Sequence, residues 1–245
     1  MVKIQGTSFE EREDYIAVEK KLRVSLNRRE IVTLYCTPSM IKELVVGLLM
    51  TEGILQRKIS PDEIQVKEDG EISVNIHTAD AIPTELTLSR CLGGFTFSRE
   101  KNFEKVKDGF SLSPQDMRNI FQEFQQKSEL FKLTGCFHSA ALSDRGNILA
   151  FAEDIGRHNA VDKVVGYAIL SDISFAGKLM LVSCRISSEI VAKCARWSIP
   201  LIASRGAATE LAVEIAEASG ITLLGFVRGD RLNVYTNTHR IKLKQ

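Results

Sequence analysis

The sequence predicts an α/β protein with a larger C-terminal α/β domain and a smaller N-terminal α+β domain. Three observations carry that reading. From residue 137 onward, short aliphatic runs alternate with amphipathic helical stretches, the periodicity of a largely parallel sheet with an added hairpin. Before residue 77, strand-like runs surround a single helical segment. Between the two, Arg99, Glu100, Lys101, Glu104, Lys105, Lys107 and Asp108 crowd residues 98–109, a mobile charged connection that sets domains of 1–109 and 110–245.

In the first domain, Tyr15 to Glu19, Leu22 to Leu26 and Ile31 to Tyr35 read as strands, with Asn27 to Glu30 as a turn. Thr37 is placed to cap a helix with Pro38 at its first position. Ile41, Leu44, Val45, Leu48 and Leu49 then share a face, and Gly53 ends the segment. Pro61 to Asp69 is extended, Ile72 to Ile76 alternates as a half-buried strand, and Thr84 to Leu88 is a further strand candidate.

In the second domain, Ser113, Pro114 and Asp116 form a helix start with a capping box. Met117, Ile120, Phe121 and Phe124 recur at helical spacing and belong to the core. Phe137 to Leu142 and Ile148 to Ala152 are joined by the turn Ser143 to Asn147, which predicts an antiparallel pair. Helices follow over Ala160 to Leu170, Ser187 to Trp197, and Glu210 to Ser219 with Thr209 as cap. Buried strands are expected at Lys178 to Ser183, Pro200 to Ala203 and Ile221 to Val227; Arg228 to Arg231 turns the chain into Leu232 to Thr236.

Composition excludes several classes. A net charge of +1 gives no global field for nucleic acid. Five scattered cysteines, an odd number, argue for a reducing compartment over a disulfide framework. Met1 to Arg12 lacks a signal-type apolar core, and no run reaches the roughly 20 apolar residues of a membrane span. The expectation is a soluble cytoplasmic protein.

The densest polar stretch is Glu153 to Lys163, wedged between an apolar strand and an apolar helix, where open α/β sheets place ligands. Arg157, Arg185, Arg205, Arg228 and Arg231 all fall at strand ends or helix starts, with Ser183, Ser187, Ser188, Ser204 and Thr209 as neutral donors. That pattern suits a phosphate-bearing, nucleotide-containing ligand. Neither GxGxxG nor GxxxxGK is present. Cys136, Cys184, His138 and His158 form no CxxC or HExxH, and the zinc deaminase arrangement is missing. A Cys–His–Asp hydrolase built from Cys91 or Cys136 with His158 and Asp162 stays open as a weaker alternative. In Ser89 to Phe95, Arg90 sits beside the Cys91 thiol; a guanidinium folded back toward it would favour the reactive thiolate.

Five strings, taken together, resemble the formate dehydrogenase accessory sulfurtransferase (FdhD) family. They are Thr51-Glu52-Gly53-Ile54, Thr134 to Ala140, Glu153 to Lys163, Arg185 to Glu189 and Gly225 to Tyr235, and they span nearly the whole chain. The resemblance implies a cytoplasmic homodimer. Its larger domain would be of the cytidine deaminase fold, without the zinc site and without a structural metal. The implied work is to take persulfide sulfur from a cysteine desulfurase. The sulfur would pass to the molybdenum (or tungsten) bis-guanylyl-pterin dinucleotide of formate dehydrogenase.

The resemblance also implies site residues. Phe226, Val227, Arg228, Gly229, Asp230 and Arg231 would lie at the guanine nucleotide end of the cofactor, which fits the phosphate-site reading of Arg157 and Arg185 from their places at helix starts and strand ends. The family carries Cys-Gly-x-Cys-Gly in its sulfur loop; this chain has Cys91-Leu92-Gly93-Gly94-Phe95. Cys91 aligns with the first cysteine, the persulfide carrier, and Gly94 with the second. Arg90 would keep Cys91 ionised, His158 and Asp154 would move protons or orient the loop, and Cys136 is the candidate substitute for the missing thiol. A chaperone that binds the cofactor without moving sulfur is the alternative reading.

Overall fold

The structure, a computed structural model, describes residues 1–79, 89–91, 94–96 and 103–242, with backbone alone at 89–91 and 94–96. The expected strand at Thr84 to Leu88 lies outside the described residues.

The N-terminal half opens with a hairpin of β1 (Val2–Gln5) and β2 (Ser8–Glu11). Tyr15 to Glu19 forms no strand, and Tyr15, Ile16 and Val18 are exposed. β3 (Lys20–Leu26), β4 (Arg29–Cys36), β5 (Ile64–Asp69) and β6 (Glu71–Ile76) form a sheet ordered β4-β3-β6-β5. The β3–β6 pair is parallel and the other two are antiparallel. α1 (Ile41–Thr51) does not start at a Thr37 cap: its N-cap is Met40, in the left-handed region at φ 52°. Thr37 is used elsewhere, as the site shows. Gly53, at φ +67°, takes the chain out of the helix. β7 (Ser89–Cys91) and β8 (Gly94–Thr96) form a small antiparallel pair in which Cys91 stands opposite Gly94.

The C-terminal half is built on six strands. They are β9 (His138–Ser143), β10 (Ile148–Asp154), β11 (Leu179–Val182), β12 (Leu201–Ser204), β13 (Thr222–Arg228) and β14 (Arg231–Thr236), in the order β10-β9-β11-β12-β13-β14. The sheet is mixed rather than largely parallel. Only β11–β12 and β12–β13 run parallel. The β9–β10 hairpin inserts beside β11 antiparallel, and β14 closes the far edge antiparallel. Short turns flag antiparallel neighbours, but which strand β9 then joins is a non-local choice that periodicity does not encode.

Helices cover both faces. α2 (Pro114–Gln126) starts at a Ser113 cap with the capping box to Asp116. Its Met117, Phe121 and Phe124 pack with Leu179, Leu181, Ala203 and Leu224 on one face. α4 (Arg157–Leu170), α5 (Ser188–Arg196) and α6 (Glu210–Ala218) pack on the other face, in one apolar core that runs on into α1 and the four-stranded sheet. Between α2 and β9 lies the short α3 (Glu129–Thr134).

α1 and α4 touch backbone to backbone. A Cβ at Gly47 would run into the Asp162 carbonyl, and one at Gly166 into the Glu43 carbonyl, so this crossing admits only glycine. The described part of the charged connection is tied down: the Val106 N–H donates to Ser219 O at 2.9 Å, and Arg240 Nε pairs with Asp108 at 3.0 Å. No helix among the described residues is long and apolar enough to cross a membrane.

Candidate functional site

The carboxyl ends of β11, β12 and β13 share one edge of the large sheet. The antiparallel β9 begins and β10 ends at that same edge, since His138 pairs with Asp154 and Ala140 with Val182. Arg157 opens α4 there, Arg185 follows β11, Arg205 follows β12, Arg228 ends β13 and Arg231 starts β14. Five arginines that are scattered in sequence therefore converge on one edge, where helix N-termini add their partial positive charge.

The loops at this edge are sewn together. Ile186 N–H donates to Ala207 O at 2.9 Å, and Thr209 N–H to Ile186 O at 3.0 Å. The Ser204 hydroxyl donates to Cys184 O and accepts from Gly206 N–H at 2.8 Å. Arg228 Nε donates to Arg205 O at 3.1 Å. Gly225 has no room for a side chain: a Cβ there would lie 2.7 Å from the Tyr235 ring and 2.9 Å from Gly206 O. The register then breaks between Gly225 and Arg228, and Phe226 takes φ 52°, a strained setting for an aromatic residue. Its ring lies 5.1 Å beneath the Arg231 guanidinium.

Two cavities adjoin at this edge, both walled by Phe121 and Gln125 of α2. One, of about 480 Å³, is lined by Cys136, His138, Ser183, Arg205 and Lys132. The other, of about 320 Å³, is lined by Arg118, Val227, Arg228 and Gly229. Arg157, Arg185, Phe226, Asp230 and Arg231 flank this edge without lining either space. Burial, then the neighbouring Arg157 charge, hold the His138 pKa below its ordinary value, so a neutral imidazole faces the cavity. A larger cavity of about 1180 Å³ lies at the opposite edge, near Met50, Phe175 and Trp197. The candidate site is the smaller pair, because there the cations, a thiol and an imidazole converge.

Glu153 to Lys163 turns out to be mostly scaffold. Asp154 is fully buried and accepts from Thr37 N–H at 3.1 Å, Gly156 N–H at 2.8 Å and Asn159 Nδ2 at 2.9 Å. Its fourth partner is the buried Lys163 Nζ at 2.6 Å. Lys163 also donates to Thr37 O at 3.1 Å. Thr37 thus ties the N-terminal half to the start of α4, together with Tyr35, whose carbonyl accepts from Asn159 Nδ2 at 2.9 Å. Glu153 accepts from the N–H groups of Leu130 and Phe131 at 3.0 Å each and caps α3. Asp162 faces inward, where Lys193 Nζ reaches its two oxygens at 2.9 and 3.0 Å, Thr51 Oγ1 at 2.8 Å and Glu52 at 2.6 Å. Burial pushes the Asp162 pKa up to about 6 even so. Asp162 stands in this inward cluster and Asp154 in its own clamp. His158 is 3% exposed on the first turn of α4.

The cysteines divide sharply. Cys36, Cys184 and Cys194 are buried, with thiol pKa values pushed up to about 12, to about 11, and higher still. Cys136 is exposed. The hairpin with Cys91 runs beside α4, on the face of the sheet opposite α2. Sequence reasoning missed Arg118 and Lys132 as lining groups. Arg118 sits on a helix read only for its apolar stripe, and α3, which carries Lys132, is capped by a residue twenty-odd positions away. Among the described residues, no group of three or more His, Cys, Asp and Glu is arranged to hold a metal ion.

Comparison with known proteins places this geometry. The chain is 37% identical over 250 residues to "Sulfur carrier protein FdhD" of Listeria monocytogenes serotype 4b, covering 98% of this chain and 96% of that one. It is 37% identical over 239 residues to the protein of the same name from Bacillus subtilis, covering 94% and 91%. A crystal structure of a protein from Desulfotalea psychrophila, assigned as a formate dehydrogenase accessory protein, matches with a TM-score of 0.79. The two are 30% identical, with 99% of this chain and 97% of that chain covered. The model of the FdhD/NarQ family matches residues 17–242, and the chain belongs to that family.

Proposed function

We propose that this chain is a sulfur carrier working through a cysteine persulfide in the maturation of formate dehydrogenase. The observation that carries the reading is the full-length likeness to sulfur carrier proteins in a chain whose Cys91 hairpin runs beside α4, the helix that opens at the arginine-lined edge. Cys91 thiolate attacks the terminal sulfur of a cysteine desulfurase persulfide; the desulfurase thiolate leaves and Cys91 becomes the persulfide. Arg90, next in sequence, favours the ionised thiol. The sulfur then goes to the molybdenum (or tungsten) bis-guanylyl-pterin dinucleotide, bound as substrate, before its insertion into the catalytic subunit.

Arg157, Arg185 and the segment Phe226, Val227, Arg228, Gly229, Asp230 and Arg231 hold the phosphates and guanine end of that substrate. Supporting this are the converging guanidinium groups and the strained Phe226 under Arg231. His158 keeps the start of α4 in shape, and Asp154, with four partners, orients this turn rather than shuttling protons. The mixed sheet between α2 and α4 to α6 supports a cytidine-deaminase-like domain over 110–245, with 1–109 as the smaller domain. The protein works as a cytoplasmic homodimer.

One observation favours a second reading. Gly94 stands opposite Cys91, so no second thiol faces it across the hairpin, which suits a chaperone that binds cofactor without moving sulfur. Incubation with a desulfurase and cysteine separates the two. Sulfur transfer adds about 32 Da to the Cys91 peptide, removable by dithiothreitol, and Cys91→Ala abolishes it. Cofactor binding with no persulfide on any cysteine selects the chaperone.

A further inference from the structure

We propose that Cys136 is a second sulfur-carrying residue, which takes the terminal sulfur from the Cys91 persulfide and presents it in the cavity it shares with His138, Lys132 and Arg205. The inference rests on the reading of Cys91 as the first carrier. Its ground is the geometry of the two faces. The Cys91 hairpin runs beside α4, whereas the two cavities are walled by Phe121 and Gln125 of α2, which covers the opposite face. Leu181, Ala203 and Leu224 are fully buried between the faces, so sulfur does not pass through the sheet. It has to go around an edge. Cys136 stands at that edge, two residues before the His138 that pairs with Asp154.

The surroundings fit a persulfide. Cys136 is exposed into a space of about 480 Å³, and Lys132 and Arg205 offer positive charge to a persulfide anion. His138 lines the same space as a neutral base. Gly135, at φ +71°, ends α3, and Cys136 N–H donates to Thr134 Oγ1 at 3.1 Å, which fixes the backbone that carries the thiol. Cys36, Cys184 and Cys194 are buried with raised thiol pKa values and do not compete. Nor does the hairpin supply a thiol opposite Cys91, since Gly94 stands there.

The step is a sulfur exchange without net oxidation. Cys136 gives its proton to His138, and its Sγ attacks the outer sulfur of the Cys91 persulfide. The bond between that sulfur and Cys91 Sγ breaks, its electron pair leaving with Cys91 as thiolate, while a new S–S bond forms at Cys136. Solvent returns the proton from His138 to Cys91. No reductant is consumed. The adjoining cavity, lined by Arg118 and Arg228, then brings the substrate alongside.

The test uses the full chain, a cysteine desulfurase and cysteine, with persulfides alkylated and mapped by mass spectrometry over time. In wild type the adduct reaches Cys91 first and Cys136 later. Cys136→Ser loads Cys91 fully but lowers activation of formate dehydrogenase at least about tenfold. Cys91→Ala leaves Cys136 unloaded. His138→Gln slows the appearance of the Cys136 adduct about tenfold without slowing that of Cys91. Full activation by Cys136→Ser, or rapid loading of Cys136 in Cys91→Ala, overturns the relay while leaving Cys91 as a carrier. No adduct on Cys91 in wild type overturns both. Circular dichroism on each variant separates misfolding from lost chemistry.

Discussion

α4 looks two ways, and its two aspects are opposites. Inward, Asp162 and Lys193 meet Thr51 and Glu52 in a closed ionic cluster, and Lys163 meets Asp154 at 2.6 Å with both side chains fully buried. At its opening edge stand Arg157, the strained Phe226 and two cavities walled by cations. The inward charges have partners and hold elements together. At the edge Arg118, Lys132 and Arg228 line open space and donate to neutral oxygens, and the backbone is strained, which is how ligand sites differ from scaffold. Charge density alone does not separate the two; pairing with buried carboxylates does.

The largest effect expected from breaking this contrast is at Lys193. Lys193→Met leaves Asp162 and Glu52 as two buried carboxylates with no cation between them, and destabilises the fold by about 3–5 kcal/mol. Urea unfolding measures it. A loss under about 1 kcal/mol would show that the cluster is not what holds α1, α4 and α5 together.

A smaller effect separates the cluster from a neutral brace. Burial raises Asp162 to about 6, above its ordinary 3.8, so between those values the folded state holds this proton more tightly than the unfolded chain. By linkage, the contribution of Asp162 to stability is largest below about pH 4 and falls as pH rises through about 6. Asp162→Asn carries no such proton. As pH rises from about 4 to 7, the variant should therefore gain on wild type by about 1–3 kcal/mol. Chemical denaturation at a series of pH values reads this, and parallel curves for the two proteins would contradict it.

The same contrast explains what the sequence could and could not say. The Ser113–Asp116 capping box and the Thr209 cap were legible because each interaction spans three residues. Strand ends were legible from the alternation, and so was the convergence of arginines at them. Thr37 read as a helix cap because its local context is one; its real partners, Asp154 and Lys163, are more than a hundred residues away. The mixed strand order was missed for the same reason, since the insertion of β9 beside β11 is set by packing between distant segments. Glu153 to Lys163 drew attention through its charge, yet most of its groups serve the scaffold. Cys136, by contrast, was a candidate without a place until β9 put it at the cavity.

The smallest expected change in stability is at Phe226, and it sharpens the comparison most. Phe226 adopts φ 52°, where an ordinary side chain costs about 1–2 kcal/mol and glycine costs nothing. Phe226→Gly relieves that strain but gives up a half-buried ring and raises the entropy of the unfolded chain, so the net change stays within about 1 kcal/mol. Binding should respond differently. Without the ring, Arg231 loses the surface that holds its guanidinium at 5.1 Å, and affinity for guanosine diphosphate, the nucleotide end of the proposed substrate, falls about tenfold. Calorimetry with that nucleotide, beside urea unfolding, reads both quantities on one variant. A variant that unfolds like wild type and binds weakly places the Phe226 strain in the service of the ligand. Unchanged binding with a loss of several kcal/mol would move Phe226 to the scaffold side, with Asp154 and Lys163.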